Sequence, residues 1–310
     1  MEYGTGEYTF EIDESEIKLR QGFRYFGASG LAIDSEDNVF MFSRRGTPVN
    51  IFDRDNNLVA SWGVGMFAVP HGIFLAPDGS LYCTDDMNHT VSQFTRDGQL
   101  LSVMGEKNKA SDTGYVLPGT EKPGEITGVD SIKRGGPPFN RPTQVAMSKT
   151  GEIYVSDGYG NARVHKFTPD GKTLLFSWGE PGTGPGQFRL PHFVWVDSQE
   201  RVWVIDRENC RIQIFDDQGK YLTEWTGIGR PSGLFIDKDE KYVYVSESDW
   251  SVCIFNFDGK LLLRFDTRED KQRNEYFMAN FGHLHTIVVN SRGDIYTAAQ
   301  GYTKKFVRKI

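Results

Sequence analysis

Three of the six histidines in this 310-residue chain occupy equivalent positions in a repeated segment. The segment occurs six times, as SGLAID, PHGIFL, PTQVAM, PHFVWV, PSGLFI and LHTIVV. In one column of the aligned copies, histidine alternates with a hydroxyl residue, in the order Ser29, His71, Thr143, His192, Ser232, His285. Three imidazoles with an open coordination position are typical of catalytic zinc, although nickel, iron, cobalt and copper also accept imidazole. The alternative interpretation is three unrelated polar residues at the mouth of a channel.

The sequence around this column indicates an all-β fold. Short strands of alternating apolar residues are separated by turns of the Asp-Gly type, and helical periodicity is nearly absent. A unit of four strands every ~40–50 residues is typical of a β-propeller. We therefore predict a single domain over residues 1–310, a six-bladed β-propeller with NHL-type repeats. The first strand of each blade lines the central channel, so histidines from alternate blades converge on one axial point.

Two irregular stretches depart from the repeat. Residues 106–138 are rich in Gly, Pro, Lys and Asp and lack periodicity, which predicts a loop inserted between the second and third blades. The last blade ends with its third strand at 304–309. The stretch YTFEID at 8–13 could supply the missing fourth strand, which would close the ring and remove an open sheet edge.

Composition restricts the classes of partner and the compartment. The net charge of −7 argues against nucleic acid as a partner, because phosphate binding requires a basic face. No apolar run reaches the ~18 residues of a membrane span, and the polar N-terminus does not read as a secretory signal. Three cysteines without a paired motif are not a disulfide framework. We therefore expect a cytoplasmic protein that acts on a small molecule or peptide, with no nucleic acid or membrane partner.

Four segments carry a resemblance to a known family. They are VPHGIFLAPDG, RPTQVAMSKTGEIYVSDGYGNARVHKF, PGQFRLPHFVWVD and IDRENCRIQIFD, in that order along the chain. Together they resemble peptidyl-α-hydroxyglycine α-amidating lyase (peptidylamidoglycolate lyase), a six-bladed propeller with NHL-type repeats. The resemblance runs from about Gly30 to Phe306. It implies that the aligned histidines are the zinc ligands of this family.

The same resemblance implies further site residues. Tyr159 in SDGYGNAR corresponds to the catalytic tyrosine. Arg207 in DREN corresponds to an active-site arginine that binds the substrate carboxylate or orients the tyrosine. Another active-site arginine, which tunes the tyrosine, corresponds to Arg44 in a gap-free alignment, or to Arg45 if the Arg-Gly pair is matched.

The third ligand motif departs from the family pattern. The animal enzymes usually read Met-Pro-His-Asp there, and this chain reads His283-Leu284-His285-Thr286. The lost aspartate would help to hold a structural calcium ion, whose presence is therefore in doubt. His283 replaces the methionine and is a candidate for the substrate pocket.

The reaction of the family splits an N-acyl-α-hydroxyglycine into a primary amide and glyoxylate. The resemblance implies that zinc stabilises the substrate alkoxide while Tyr159 takes the hydroxyl proton. Tyrosine, with an ordinary pKa of ~10, is a poor base unless arginines beside it favour its anion. Two alternatives stay open: another metal-dependent lyase or hydrolase of a small substrate at the same histidines, and a non-catalytic NHL propeller that binds a protein or peptide.

Overall fold

The computed structural model describes residues 2–6, 8–13, 28–122, 126–268, 283–299 and 302–309. These residues form 27 strands and two three-residue 3₁₀ helices, which confirms the predicted all-β class. Six antiparallel sheets of four or five strands are the six blades of a β-propeller. Within these ranges, no helix combines the length and the apolar character that crossing a membrane requires.

The turns that separate the strands follow from the Asp-x-x-Gly pattern. At the turn of residues 216–220, Oδ1 of Asp216 accepts the backbone N–H groups of Gln218 and Lys220 at 3.0 and 2.8 Å. Gly219 takes a positive φ of 75°, which a residue without Cβ adopts at little cost. Local chemistry therefore ends each strand and begins the next, and the repeat is recognisable from sequence for that reason.

Contacts within the chain divide it into two compact units, Met1–Met66 with Ser232–Ile310, and Phe67–Pro231. The single domain over residues 1–310 stays a prediction. The first unit contains three sheets. Their strands are β1 (Glu2–Thr5), β2 (Tyr8–Ile12), β3 (Gly30–Ile33), β4 (Val39–Phe42), β5 (Val49–Phe52), β6 (Leu58–Trp62), β21 (Pro231–Ile236), β22 (Tyr242–Glu247), β23 (Ser251–Asn256), β24 (Leu261–Asp266), β25 (Leu284–Val289), β26 (Ile295–Ala299) and β27 (Tyr302–Arg308).

The second unit also contains three four-stranded sheets, with a short parallel pair, β15 and β16, between two of them. Its 3₁₀ helices are Val129–Ser131 and Arg207–Asn209. Its strands are β7 (Pro70–Leu75), β8 (Leu81–Asp85), β9 (Thr90–Phe94), β10 (Leu100–Met104), β11 (Pro142–Met147), β12 (Ile153–Asp157), β13 (Arg163–Phe167), β14 (Leu174–Trp178), β15 (Glu180–Pro181), β16 (Gln187–Phe188), β17 (Pro191–Val196), β18 (Val202–Asp206), β19 (Arg211–Phe215) and β20 (Tyr221–Trp225).

The N-terminal strand closes the last sheet as predicted. Strand β2 pairs antiparallel with β27, and the sheet order is β1-β2-β27-β26-β25. Phe10 of β2 and Phe306 of β27 are 1% and 0% exposed and belong to one core cluster. Burying a phenylalanine side chain contributes about 1.5–3 kcal/mol, so this pairing is anchored by apolar contacts as well as by backbone hydrogen bonds. The additional strand β1 was not predicted from the sequence.

Residues 106–138 form the predicted insertion between β10 and β11, although 123–125 lie outside the described residues. The insertion is attached to the turn between β12 and β13. Thr113 Oγ1 donates to the backbone oxygen of Gly160 at 2.6 Å, and Asn161 Nδ2 donates to that of Gly136 at 2.6 Å. Both ends of the insertion are therefore fixed to the turn that carries Tyr159.

Candidate metal centre and active site

A local irregularity in strand pairing accompanies each aligned histidine. His71, His192 and His285 are the second residues of β7, β17 and β25. The register with the following strand shifts at each of them, between Pro70 and Ile73, Pro191 and Phe193, and Leu284 and Thr286. Bulges of this kind bend a strand and redirect a side chain, and they are frequent next to active sites. The repeat therefore supplies the same redirected position three times.

The hydrogen bonds of these histidines fix which ring nitrogen carries the proton. His71 Nδ1 lies 2.7 Å from the carbonyl oxygen of Thr143, and His285 Nδ1 lies 2.7 Å from that of Ser29. A carbonyl oxygen only accepts, so in the neutral ring Nδ1 carries the proton and Nε2 offers its lone pair. In both cases the carbonyl belongs to the hydroxyl residue next in the column. The alternation in the sequence thus pairs an imidazole with the carbonyl that orients it.

The three histidines are brought together as the sequence predicts. Their ligand nitrogens all lie within 4.8 Å of one another, and all three side chains are buried. Neutral imidazoles are the donor set that catalytic zinc uses, with a further coordination position left open, and backbone carbonyls orient two of the three here. The residues present therefore fit a metal ion, and the three histidines could hold one.

Tyr159 lies beside two of these histidines, in the turn between β12 and β13. Its hydroxyl oxygen is 3.2 Å from Nε2 of His71 and 3.2 Å from Nε2 of His192. Arg207 Nη1 donates a hydrogen bond to the same oxygen at 3.1 Å. The phenol oxygen is thus next to two of the nitrogens that could hold a metal ion and next to a cation.

Close backbone approach explains the two glycines that flank Tyr159. A Cβ at Gly158 would meet the backbone oxygen of Pro191 at 2.3 Å, and a Cβ at Gly160 would meet Asn140 Oδ1 at 2.2 Å. Asp157, fully buried, accepts the backbone N–H of Asn140 at 2.7 Å and so fixes the start of the turn. The sequence DGYGN is therefore required by packing, and packing holds the tyrosine in place.

Arg207 lies beside the ring of Tyr159. It begins the 3₁₀ helix that follows β18 and is 9% exposed. Its guanidinium carbon lies 5.2 Å from the centre of the Tyr159 ring, within range of a cation–π interaction. Its Nε donates to Oε1 of Glu208 at 3.1 Å. The side chain therefore orients Tyr159 directly.

A second guanidinium over Tyr159 was missed by the sequence analysis. The guanidinium carbon of Arg141 lies 5.0 Å from the centre of the Tyr159 ring. Nε and Nη2 of Arg141 bind both carboxylate oxygens of Asp86, and Nη1 donates to the hydroxyl of Tyr115 from the insertion. Burial opposes the charge of Arg141, but the bonds to Asp86 outweigh it and raise the pKa of Arg141 above its ordinary value. Asp86 and Tyr115 thus hold the guanidinium of Arg141 against the ring of Tyr159.

Little in the sequence could have pointed to Arg141. It precedes the Pro-Thr of the third repeat, where the second and fourth repeats carry Val69 and Leu190. The fifth repeat carries Arg230 at the same position, so two arginines in one column of the alignment were the available signal. The partner of Arg141 in the turn after β8 is Asp86, and its partner in the insertion is Tyr115. Strand periodicity predicts neither pairing.

Replacing Arg141 by glutamine should lower the free energy of unfolding by about 3–5 kcal/mol, because it leaves the buried carboxylate of Asp86 unpaired. Asp86→Asn should also lower the free energy of unfolding. The double variant should lose less stability than the sum of the two single variants, and a double-mutant cycle by urea unfolding measures the difference. The control is Arg189→Gln, which breaks a surface pair with Asp130 at 2.7 Å and should cost at most about 1 kcal/mol. Additive effects would contradict a coupled pair.

The remaining predicted site residues are placed as follows. Arg44 is half-buried and Arg45 exposed, both in the turn between β4 and β5. His283 is exposed, just before β25, and its Nδ1 lies 3.1 Å from the backbone oxygen of Ser248. The roles of these three residues in catalysis or substrate binding stay predictions.

Cysteines play no part in the described site. Cys83 and Cys253 are buried in β8 and β23, as expected for small apolar residues, and burial raises the pKa of both thiols. Cys210 is exposed instead, because it ends a 3₁₀ helix in the left-handed conformation, with φ of 53°.

Comparison with known proteins supports this repeat architecture. The NHL repeat model matches residues 139–167 and 188–215. The chain is a six-bladed propeller in which these two segments are NHL repeats. These two matches include the turn of Tyr159, His192 and Arg207, so the NHL repeats contain much of the candidate site.

Homologues of this NHL-repeat propeller include proteins of two descriptions. Human NHL repeat-containing protein 3 is 32% identical over 237 residues, which cover 71% of this chain and 62% of that protein. The Caenorhabditis elegans protein described as a probable peptidyl-α-hydroxyglycine α-amidating lyase is 27% identical over 258 residues, covering 71% of this chain and 67% of that protein. The chain thus spans less than two thirds of the length of NHL repeat-containing protein 3.

A solved structure shares the fold of the NHL-repeat propeller. A streptogramin B lyase matches 97% of this chain and 98% of its own, with a TM-score of 0.62 and 15% identity. This likeness shows the fold alone.

Proposed function

We propose that this NHL-repeat propeller is a zinc-dependent lyase. Its substrate would be an N-acyl-α-hydroxyglycine or a related carbinolamide, and its products a primary amide and glyoxylate. One observation carries the proposal: the hydroxyl of Tyr159 lies 3.2 Å from Nε2 of both His71 and His192 and accepts a hydrogen bond from Arg207. A surface that only binds a protein does not need a half-buried phenol between such imidazoles and a guanidinium.

His71, His192 and His285 would hold the metal ion. Zinc bound there supplies Lewis acidity that makes a substrate hydroxyl more acidic and stabilises the alkoxide. The carbonyls of Thr143 and Ser29 keep two of the imidazoles oriented, with Nε2 available.

Tyr159 would act as the base for the substrate hydroxyl. Its oxygen takes the proton as the carbonyl of glyoxylate forms and the carbon–nitrogen bond breaks. The bonding electrons pass to the nitrogen, which takes the proton back from Tyr159 and leaves as the primary amide. Arg207 donates a hydrogen bond to the phenol oxygen at 3.1 Å and so keeps that oxygen in position. Arg141 above the ring fixes its orientation.

Two other functions compete with this proposal. Another metal-dependent lyase or hydrolase could use the same histidines on a different small substrate. A non-catalytic propeller that binds a protein or peptide is favoured by the 32% identity to NHL repeat-containing protein 3, whose name states no reaction. A cytoplasmic location without nucleic acid or membrane partners stays a prediction. The structural calcium ion stays in doubt, because Thr286 replaces the family's aspartate.

The test combines elemental analysis of the purified protein with glyoxylate release from α-hydroxyhippurate. We expect about one zinc per chain, as in three-histidine catalytic sites, and glyoxylate formed in equal amount to benzamide. Bound zinc without glyoxylate release would favour another metal-dependent lyase or hydrolase that uses the same histidines. A protein that takes up no metal even when zinc is supplied would contradict the lyase proposal and favour the binding propeller.

A further inference from the structure

Two arginines beside the candidate site share one carboxylate. Arg207 Nε donates to Oε1 of Glu208 at 3.1 Å, and Arg230 Nη2 donates to the same oxygen. Arg230 Nε also donates to Oε2 at 2.9 Å. Burial would raise the pKa of Glu208, but the bond from Arg230 and the charge of Arg207 lower it below its ordinary value. Glu208 is therefore an anion that holds two guanidinium groups next to each other.

Each guanidinium keeps donors that the protein does not use. Among the described residues, Nη2 of Arg207 and Nη1 of Arg230 have no hydrogen-bond partner. The side chain of Arg207 is 10% exposed and that of Arg230 38% exposed, so these donors are accessible from the solvent side. Two cations and one anion leave one positive charge, which suits a ligand with a single carboxylate.

The chemistry of the substrate determines which part of it would lie here. In an α-hydroxyglycine, the carboxylate and the hydroxyl are bonded to the same carbon. A hydroxyl that gives its proton to Tyr159 therefore has its carboxylate close by. Arg207 donates to the Tyr159 oxygen at 3.1 Å, and Glu208 binds Arg230 next to Arg207. Both guanidinium groups are thus connected to the tyrosine through one chain of hydrogen bonds.

Arg141 cannot serve this purpose. Its Nε, Nη1 and Nη2 are committed to Asp86 and Tyr115. Arg189, which is 40% exposed, is paired with Asp130 of the insertion at 2.7 Å. This leaves Arg207 and Arg230 as the pair next to the tyrosine with unused donors.

On the basis of the proposed lyase function, we propose that Arg230 is a substrate-binding residue. With Arg207, and held by Glu208, it forms a two-arginine clamp for the substrate carboxylate. Guanidinium groups bind carboxylates through two parallel N–H donors, so the clamp selects a free carboxylate over an ester or an amide. The preference for acids among glycine-derived substrates would therefore depend on Arg230 and not on Arg207 alone.

The experiment measures binding and turnover separately, on the zinc-loaded full chain. The binding probes are hippurate, which lacks the hydroxyl and is not cleaved, and its neutral amide, by calorimetry. Arg230→Gln should weaken hippurate binding and raise KM for α-hydroxyhippurate by about 10–100-fold, the range for a lost hydrogen bond to a charged group. Affinity for the neutral amide and kcat should change by less than about threefold, since neither depends on the carboxylate contact.

Two further variants make the result specific. Arg230→Lys keeps the charge without the planar fork and should recover part of the affinity. Arg189→Gln removes an arginine of similar exposure on the neighbouring segment and should leave hippurate binding unchanged. Equal losses for hippurate and its amide in Arg230→Gln would overturn the clamp, and so would an equal loss in Arg189→Gln. If Arg230→Gln does not fold, undiminished hippurate affinity in Arg230→Lys would overturn it.

The clamp and the proposed reaction can fail independently. A wild-type protein that releases no glyoxylate but loses hippurate binding in Arg230→Gln would retain the clamp and contradict the reaction. A wild-type protein that releases glyoxylate, with unchanged KM and hippurate affinity in Arg230→Gln, would retain the reaction and overturn the clamp.

Discussion

Tyr159→Phe is expected to lower kcat for glyoxylate release by about 10²–10⁴-fold, the usual contribution of a positioned general base. The ring keeps its packing between the guanidinium groups of Arg141 and Arg207, so the site should stay assembled. The change removes the oxygen that lies 3.2 Å from Nε2 of His71 and of His192. Steady-state kinetics on α-hydroxyhippurate, with the zinc content of the same preparation, measures the effect.

The control for this prediction is Tyr221→Phe, in the outer strand β20 of the neighbouring sheet. It removes the same atom from a half-buried tyrosine and should leave kcat unchanged. Unchanged zinc content with lost turnover in Tyr159→Phe would assign the proton acceptor to Tyr159. Retained turnover would place the base elsewhere and contradict the assignment.

His192→Ala is expected to remove most of the bound metal. Loss of a group that hydrogen-bonds to a metal ligand typically lowers metal affinity about 10–100-fold. Loss of the ligand itself should therefore lower it by more than about 100-fold. His192 is 1% exposed, and its Nε2 is adjacent to the Tyr159 oxygen, so glyoxylate release should fall to the level of the metal-free protein. Equilibrium dialysis against zinc, followed by elemental analysis, measures the change.

His283→Ala is the matched control, because His283 is exposed and lies two residues from a proposed ligand. It should retain the metal stoichiometry of the wild type. Comparing unfolding midpoints of the two variants without metal separates a folding defect from a lost ligand. A His192→Ala protein that folds and still binds one zinc per chain would contradict the three-histidine centre.

The propeller was accessible from the sequence because its determinants are local. Alternating apolar residues define each strand, and the Asp-x-x-Gly turns define where it ends, as at Asp216 and Gly219. Repetition then places equivalent residues in equivalent structural positions, so the alignment column identified His71, His192 and His285 before any fold was known. The family resemblance added Tyr159 and Arg207, which depend on short motifs within one turn each.

The tertiary structure decided the features that depend on partners far apart in the chain. Arg141 meets Asp86 across 55 residues and Tyr115 across 26, and Arg230 meets Glu208 across 22. None of these pairs shares a strand or a turn motif, so the sequence contains no local pattern that links them. The sequence alone therefore determined the fold, the histidine column and, with the resemblance, the tyrosine. Tertiary packing alone decided which charged side chains surround that tyrosine, because the partners of a long side chain depend on which distant segments the assembled strands bring within its reach.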